Sequence, residues 1–196
     1  MPDLTPLWIS IKVGFISTII VSILGIFICR TLYKRKGHAT QFLESLILLP
    51  IVLPPTVLGF ILIIVFSPRT FVGQFFQNIL HLPVVFTMTG AVIASVIVSF
   101  PLMYQHTIQG FRSINPKMLN TARTMGASER KIFYRLILPL SKRSIIAGIM
   151  MSFARAIGEF GATLMVAGYI PNKTNTLPLE IYFLVEQGKE NQAWLW

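Results

Sequence analysis

Four stretches of this chain, residues 13–29, 43–66, 84–104 and 145–166, are apolar over lengths close to the roughly 20 residues that carry a helix across a hydrocarbon core of about 30 Å. A chain with four such stretches is written for lipid. Its composition agrees: 54% of residues are hydrophobic and 12% charged, against about 25% charged in an ordinary soluble domain. The first stretch reads as a retained helix and not as a secretory leader, because no cationic segment precedes it and no small-residue cleavage site follows. An open sheet edge in lipid leaves backbone polar groups unsatisfied, so every span is expected to be helical. The expected fold class is all-α, a single polytopic transmembrane helical bundle over residues 1–196.

The formal charge of +10 does not point to nucleic acid, because the cations sort by loop and do not gather on one soluble face. Arg30, Lys34, Arg35 and Lys36 follow the first span, and Arg69 alone follows the second. Arg112, Lys117, Arg123, Arg130, Lys131, Arg135, Lys142 and Arg143 follow the third, and Lys173 and Lys189 the fourth. The positive-inside rule turns this alternation into a topology: first and third loops cytoplasmic, N-terminus outside. Cys29 is the one cysteine, so neither an intrachain disulfide nor a cysteine metal site is available.

The second span contains Pro50, Pro54 and Pro55 in Leu49-Pro50-Ile51-Val52-Leu53-Pro54-Pro55-Thr56. Each proline removes an amide donor and crowds the carbonyl four residues earlier, so a continuous helix is not expected there. Broken helices at membrane depth either assist packing or line a transport pathway, and both readings stay open for these prolines. Residues 71–80 are too short to cross and too apolar for a free loop, which suits the outer interface. The polar stretch 171–192 then precedes Ala193-Trp194-Leu195-Trp196, which reads as the first residues of a further span.

The third loop, about residues 105–143, is patterned. Asn115 followed by Pro116 is a helix start; Met118, Leu119, Ala122 and Met125 then share one face at helical spacing. Gly126 is a stop, and Ser128 with Glu129 a second start, its carboxylate near a helix N-terminus. Ile132, Phe133, Leu136 and Ile137 mark an apolar face opposite Arg130, Lys131 and Arg135 until Pro139 is expected to end the run. Periodicity alone admits an amphipathic hairpin resting on anionic lipid.

The residues of that loop carry a resemblance. Asn120-Thr121-Ala122-Arg123-Thr124-Met125-Gly126, nine residues, then Leu136-Ile137-Leu138-Pro139 resembles the EAA loop of ABC importer permeases, with Asn120 in place of the usual Glu, Thr121 in place of the first Ala and Leu136 in place of Ile. The segment Leu49 to Gly59 and, in the third span, Gly90 to Met103 are similar to those of molybdate permeases. Phe153-Ala154-Arg155-Ala156-Ile157-Gly158-Glu159-Phe160-Gly161-Ala162-Thr163 is similar to a segment shared with sulfate permeases, and the stretch from Ile170 to Tyr182 is similar to the molybdate branch. The resemblance implies a bundle of the ABC importer permease type in the cytoplasmic membrane. It implies a coupling helix within about 115–139 that docks on the ATP-binding subunit through Asn120, Ala122, Arg123, Gly126, Ala127 and Ser128. The implied partners are two copies of that subunit, which bind ATP and Mg, a second copy of this chain, and an extracytoplasmic oxyanion-binding protein; this chain itself has no cofactor. Members of the family carry a further C-terminal span, expected beyond Trp196. Sulfate or tungstate permeases of the same fold are the alternative.

Arg155 and Glu159 lie inside the fourth span at i, i+4 spacing. Charges at that depth cost about 2.5 to 3.5 kcal/mol each on insertion scales, so they are expected to meet protein or a water-filled cavity. An ion pair between them and direct contact of Arg155 with an anion are both open. With Pro50, Pro54 and Pro55 they form the set of pathway or gate candidates. No catalytic constellation appears: His38, His81 and His106 are isolated and no phosphate-binding G-x-x-x-x-G-K-[ST] loop is present. A transporter driven by an ion gradient would use a midplane carboxylate, for which Glu159 is the candidate, but leaves the EAA-like loop without a role.

Overall fold

The computed structural model describes residues 4–35 and 37–196, and among them the regular structure is helical throughout. Lys36, counted above with the first loop's cations, lies outside the described residues, as do residues 1–3. Two helices are continuous and long enough to cross: α1 (Thr5–Leu32) and α5 (Met88–Arg112), 28 and 25 residues or about 42 and 38 Å at 1.5 Å per residue.

The second span breaks as its prolines require. It forms α2 (His38–Val52) and α3 (Pro55–Val65), whose axes differ by 114°. Pro50 stays within α2, and the break falls at Leu53, which is extended (ψ 139°) as a residue before proline prefers. Pro54 and Pro55 become the N-cap and first residue of α3, where a missing N–H deprives no helical bond. Residues 71–79 fold as the short α4 (Phe71–Gln74), capped by Thr70, and a wide π turn (Phe75–Ile79). The Phe76 ring meets Phe66 edge to face.

Two expectations need correction. The fourth span is not one helix over 145–166: α9 (Lys142–Ile157) ends at Gly158, and the short α10 (Gly161–Ala167) follows. Nor does Pro139 end the loop's second helix. α6 (Pro116–Thr124) is followed by α7 (Glu129–Ile132), a π turn (Phe133–Ile137) and α8 (Leu138–Leu140), and the path bends by 66° only beyond Leu140, into α9. The π turn directly ahead of Pro139 shifts the carbonyl ladder by one residue, which gives the pyrrolidine ring room that an α turn denies it. The polar stretch 171–192 also contains α11 (Leu177–Glu186), with Leu179 and Leu184 buried, followed by α12 (Glu190–Ala193).

The centre is a three-helix packing of α1, α5 and α9. Lipid offers no hydrophobic gain for helix association, so close backbone approach and interhelical hydrogen bonds must supply it. Both are present. A Cβ on Gly25 would come within 2.7 Å of Met103 Cγ, and one on Gly110 within 2.7 Å of Ser144 Cβ. Ser17 Oγ donates to the Val92 carbonyl at 3.2 Å, and Ser152 Oγ to that of Ser99 at 3.3 Å.

The half-helices α3 and α10 pack on each other outside this core. A Cβ on Gly59 would sit 2.6 Å from Met165 Cβ and 3.0 Å from Ala162 Cα, and one on Gly161 2.9 Å from Pro55 Cβ. The two broken spans therefore meet at their breaks. Gly59→Leu forces α3 away from α10, and the expected cost is about 1–3 kcal/mol of overpacking. Thermal unfolding of the purified protein in detergent should show a lowered midpoint, while Phe60→Leu, at an exposed position of the same helix, leaves it in place.

Candidate functional site

Two regions bring the candidate residues together. The first is the junction of the broken spans. The Glu159 side chain, 1% exposed, sits in the gap between α9 and α10. Its Oε2 lies 2.6 Å from Arg155 Nη1, and its Oε1 accepts the Ala162 N–H at 2.8 Å. The carboxylate thus pairs with a guanidinium and also satisfies one of the donors that a helix start leaves open, where the helix dipole favours negative charge. The expected shared face on a continuous helix is replaced by a bridge across a break.

Arg155 itself is 32% exposed and lines a cavity of about 200 Å³ with Pro50, Ile51, Leu53, Pro55, Val98 and Leu102. Pro50, Pro55 and Arg155, singled out separately in the sequence, share one cavity; Pro54 stands beside it as the cap of α3, and Glu159 lies behind Arg155. This arrangement presents one cationic group, held from behind, to a space bounded by two helix breaks.

Breaking a buried pair by removing one partner costs about 3–5 kcal/mol, since the other charge is left uncompensated. Arg155→Met and Glu159→Gln are each expected to reduce the folded fraction recovered on size exclusion, with Glu159→Gln also loosening the start of α10. The double variant should recover part of the loss. Normal assembly of Arg155→Met would reject the pair as a structural element.

The second region is the hairpin α6–α7. Asn115 Oδ1 accepts the Lys117 N–H at 2.9 Å ahead of Pro116, and Ser128 Oγ accepts that of Lys131 at 3.4 Å, as helix starts. Gly126 between them has φ +81°, a conformation that costs other residues about 1–2 kcal/mol. A Cβ there would meet nothing within 4 Å, so glycine is required by backbone conformation alone.

The hairpin is fixed to the bundle by its inner face. Leu119, Ile132, Phe133 and Ile137 are buried, and Ala122 and Ala127 pack partly against the same core. Phe133 meets Phe111 edge to face with centroids 5.6 Å apart, Phe111 meets Tyr33 at 5.9 Å, and the Arg30 guanidinium lies 4.7 Å from the Phe133 ring centre. The expected apolar face of α6 is only half realised: Leu119 and Ala122 turn inward, whereas Met118 and Met125 are 47% and 82% exposed.

A charge ladder crosses the outer side. Asn120 Oδ1 accepts from Arg123 Nη1 at 2.6 Å, Arg123 Nε donates to Glu129 Oε1 at 2.7 Å, and Glu129 Oε2 pairs with Lys34 at the end of α1. The Arg123 and Lys34 hydrogen bonds hold the Glu129 carboxyl down at about 2. A depressed carboxylate stabilises above its ordinary range and loses that contribution only as pH falls through the lowered value, so the ladder stays charged at neutral pH. Its members are largely solvated, which limits each pair to about 0–1 kcal/mol. The role of Glu129 as Arg123's partner was missed in the sequence. A signal existed: it is the sole acidic residue between Glu44 and Glu159, in the loop richest in cations. The same holds for Glu44, whose Oε1 lies 2.5 Å from Nη2 of Arg112 and ties α2 to α5.

Among the described residues no group of three or more His, Cys, Asp or Glu side chains is placed to hold a metal. A bundle with two broken spans meeting at a cavity that one guanidinium lines, and a hairpin with an exposed apolar tip at its basic end, has the features of a membrane permease and not of a single membrane anchor. The chain belongs to the family of inner membrane components of binding-protein-dependent transport systems, whose model matches residues 19–185. It is 44% identical over 192 residues to the permease protein YvgM of Bacillus subtilis, provisionally assigned to a molybdenum transport system, with 98% of this chain and 85% of that one covered. It is 33% identical over 185 residues to the molybdenum transport system permease protein ModB of Escherichia coli, covering 94% and 81%. The ModB of Azotobacter vinelandii is 32% identical over 194 residues, covering 98% and 86%.

Proposed function

We propose that this chain is the multi-pass membrane subunit of an ATP-driven importer of molybdate. The relatives named for molybdenum transport support the substrate. The observation that carries the mechanism is the hairpin: a turn that only glycine adopts freely, buried on one face and presenting Met125, Met118 and the polar Asn120, Arg123 and Ser128 outward. An apolar tip that none of the described residues covers suits insertion into another subunit.

An energy source is required on physical grounds. Moving a dianion into a compartment that is negative inside costs about 2.3 kcal/mol per charge per 100 mV, or roughly 4.6 kcal/mol, before any gradient is counted. The chain has no phosphate-binding loop, so ATP and Mg are held by a partner. In this reading two permease copies and two ATP-binding subunits form the transporter, and an external binding protein delivers the oxyanion. Closure of the ATP-binding subunits moves the hairpin at Gly126, and the Leu119–Phe133 core and the Arg123–Glu129–Lys34 ladder carry that displacement to α1 and α5. Nucleotide shifts the equilibrium only by its differential affinity for the two states. The permease contributes conformational coupling and no catalysis. Arg155, backed by Glu159, faces the cavity between the helix breaks and is the residue proposed to line or gate the path. The alternating cations support an external N-terminus and a cytoplasmic hairpin.

Cells expressing the chain with its ATP-binding subunit and binding protein are expected to accumulate labelled molybdate, with excess sulfate a poor competitor. Gly126→Val should insert normally yet lose about 5- to 30-fold in uptake, the equivalent of the roughly 1–2 kcal/mol cost of a left-handed residue, while Gly126→Asn keeps most of it. Full transport by the valine variant would reject the coupling role; loss of molybdate uptake to sulfate would reject the substrate. In a Cys29→Ser background, a cysteine replacing Ser128 should resist an impermeant thiol reagent in intact cells, and ready labelling would reverse the topology.

A further inference from the structure

The cavity at the basic end of the bundle measures about 720 Å³ and is lined by Lys34, Arg35, Arg112 and Arg123 together with Glu44 and the edges of α1, α2 and α6. Three of those cations are already committed: Lys34 and Arg123 to Glu129, and Arg112 to Glu44. Arg35 is not. Its side chain makes no hydrogen bond or ion pair among the described residues, and it lines a second groove of about 480 Å³ formed by Ile28, Thr31, Leu32, Leu43, Leu46 and Ile47, where the last turns of α1 face α2.

One guanidinium thus lines a groove whose other side chains are apolar apart from Thr31, whose hydroxyl is spent on the Ile28 carbonyl. The outward residues on either side, Phe27 on α1 and Phe42 on α2, are exposed hydrophobics, so this flank belongs in the acyl region of the bilayer. The charged ends of α1 and α2 then lie at headgroup level. A second copy of the chain is a poor occupant, because a symmetric contact at this face would press the same cations of both copies together. Free oxyanion leaves the apolar part of the groove unused.

We infer that this groove binds an anionic phospholipid, its acyl chain along Ile28, Leu32, Leu43, Leu46 and Ile47 and its phosphate on Arg35. Arginine forms paired hydrogen bonds to phosphate oxygens, and basic pockets between membrane helices suit anionic headgroups. The bound lipid bridges α1 and α2 beside the Lys34–Glu129 contact, which places it next to the joint through which the hairpin reaches α1. The inference needs the membrane setting alone and stands whether or not molybdate is the substrate.

The test is lipid retention by the purified, detergent-solubilised protein after equilibration with phosphatidylcholine nanodiscs that contain or lack phosphatidylglycerol, read by mass spectrometry of co-purifying lipid. Wild type is expected to retain phosphatidylglycerol in excess of its share. Arg35→Gln should lose about fivefold, the factor matching an attraction of about 1 kcal/mol for one cation near an anionic surface. Leu46→Trp, which fills the groove from an exposed position, should lose as much with Arg35 intact, and Arg69→Gln, outside both cavities, should change nothing. Wild-type retention by both Arg35→Gln and Leu46→Trp would overturn the site. So would displacement of the lipid by inorganic phosphate or molybdate with Leu46→Trp unaffected, since that outcome makes Arg35 a site for free anion.

Discussion

A single carboxylate ties the two halves of the broken fourth span together. Glu159 sits where α9 stops and α10 starts, neutralised by Arg155 at 2.6 Å and bonded to the Ala162 N–H at 2.8 Å. In lipid a helix break exposes backbone donors and acceptors that water cannot satisfy, and a lone carboxylate is costlier still. Each problem relieves the other here: the break supplies a donor and a favourable dipole, and Arg155 supplies the charge. The second span solves the same problem differently, with Pro54 and Pro55 at the start of α3, where they have no N–H to leave unpaired.

The two breaks are held against each other by small residues. Gly59 and Gly161 let α3 and α10 approach until a Cβ would clash, which brings Pro50, Pro55 and Arg155 to one cavity. A rigid bundle of α1, α5 and α9 carries this region at one side and the hairpin at its basic end. Arg30 over the Phe133 ring, and Phe133 edge to face with Phe111, pack the hairpin directly against α1 and α5.

Carboxylates act as fixed points in this chain because they are few. Of seven acidic residues, Glu44 joins α2 to α5, Glu129 joins the hairpin to α1, and Glu159 joins α9 to α10. Glu180 accepts from Tyr169 and Asn175 at the start of α11. With the cations in large excess, each of these carboxylates finds a donor or cation within reach, and Arg35 is among the described cations that are left without a carboxylate.

Much of the fold could be read without coordinates: the apolar lengths of α1 and α5, the proline break at Leu53, and the Asn115, Gly126 and Ser128 punctuation of the hairpin are local matters of hydropathy, φ and capping. Local signals also placed Arg155 and Glu159 four residues apart. What they did not settle was the break between them: Gly158 is a stop signal, but an apolar span with small residues at close spacing admits a continuous helix as well, and α10 is stabilised by its contact with α3. Pro139 misled for a related reason: a π turn accommodates it, and the inward packing of Phe133 and Ile137 sustains the helix through it. Sequence by itself determined that the chain is helical, membrane-embedded and turned at a glycine between two short helices, since those follow from side-chain transfer energies and backbone conformation. Tertiary structure alone decided which charges pair and which breaks meet, because both depend on distances between residues far apart along the chain.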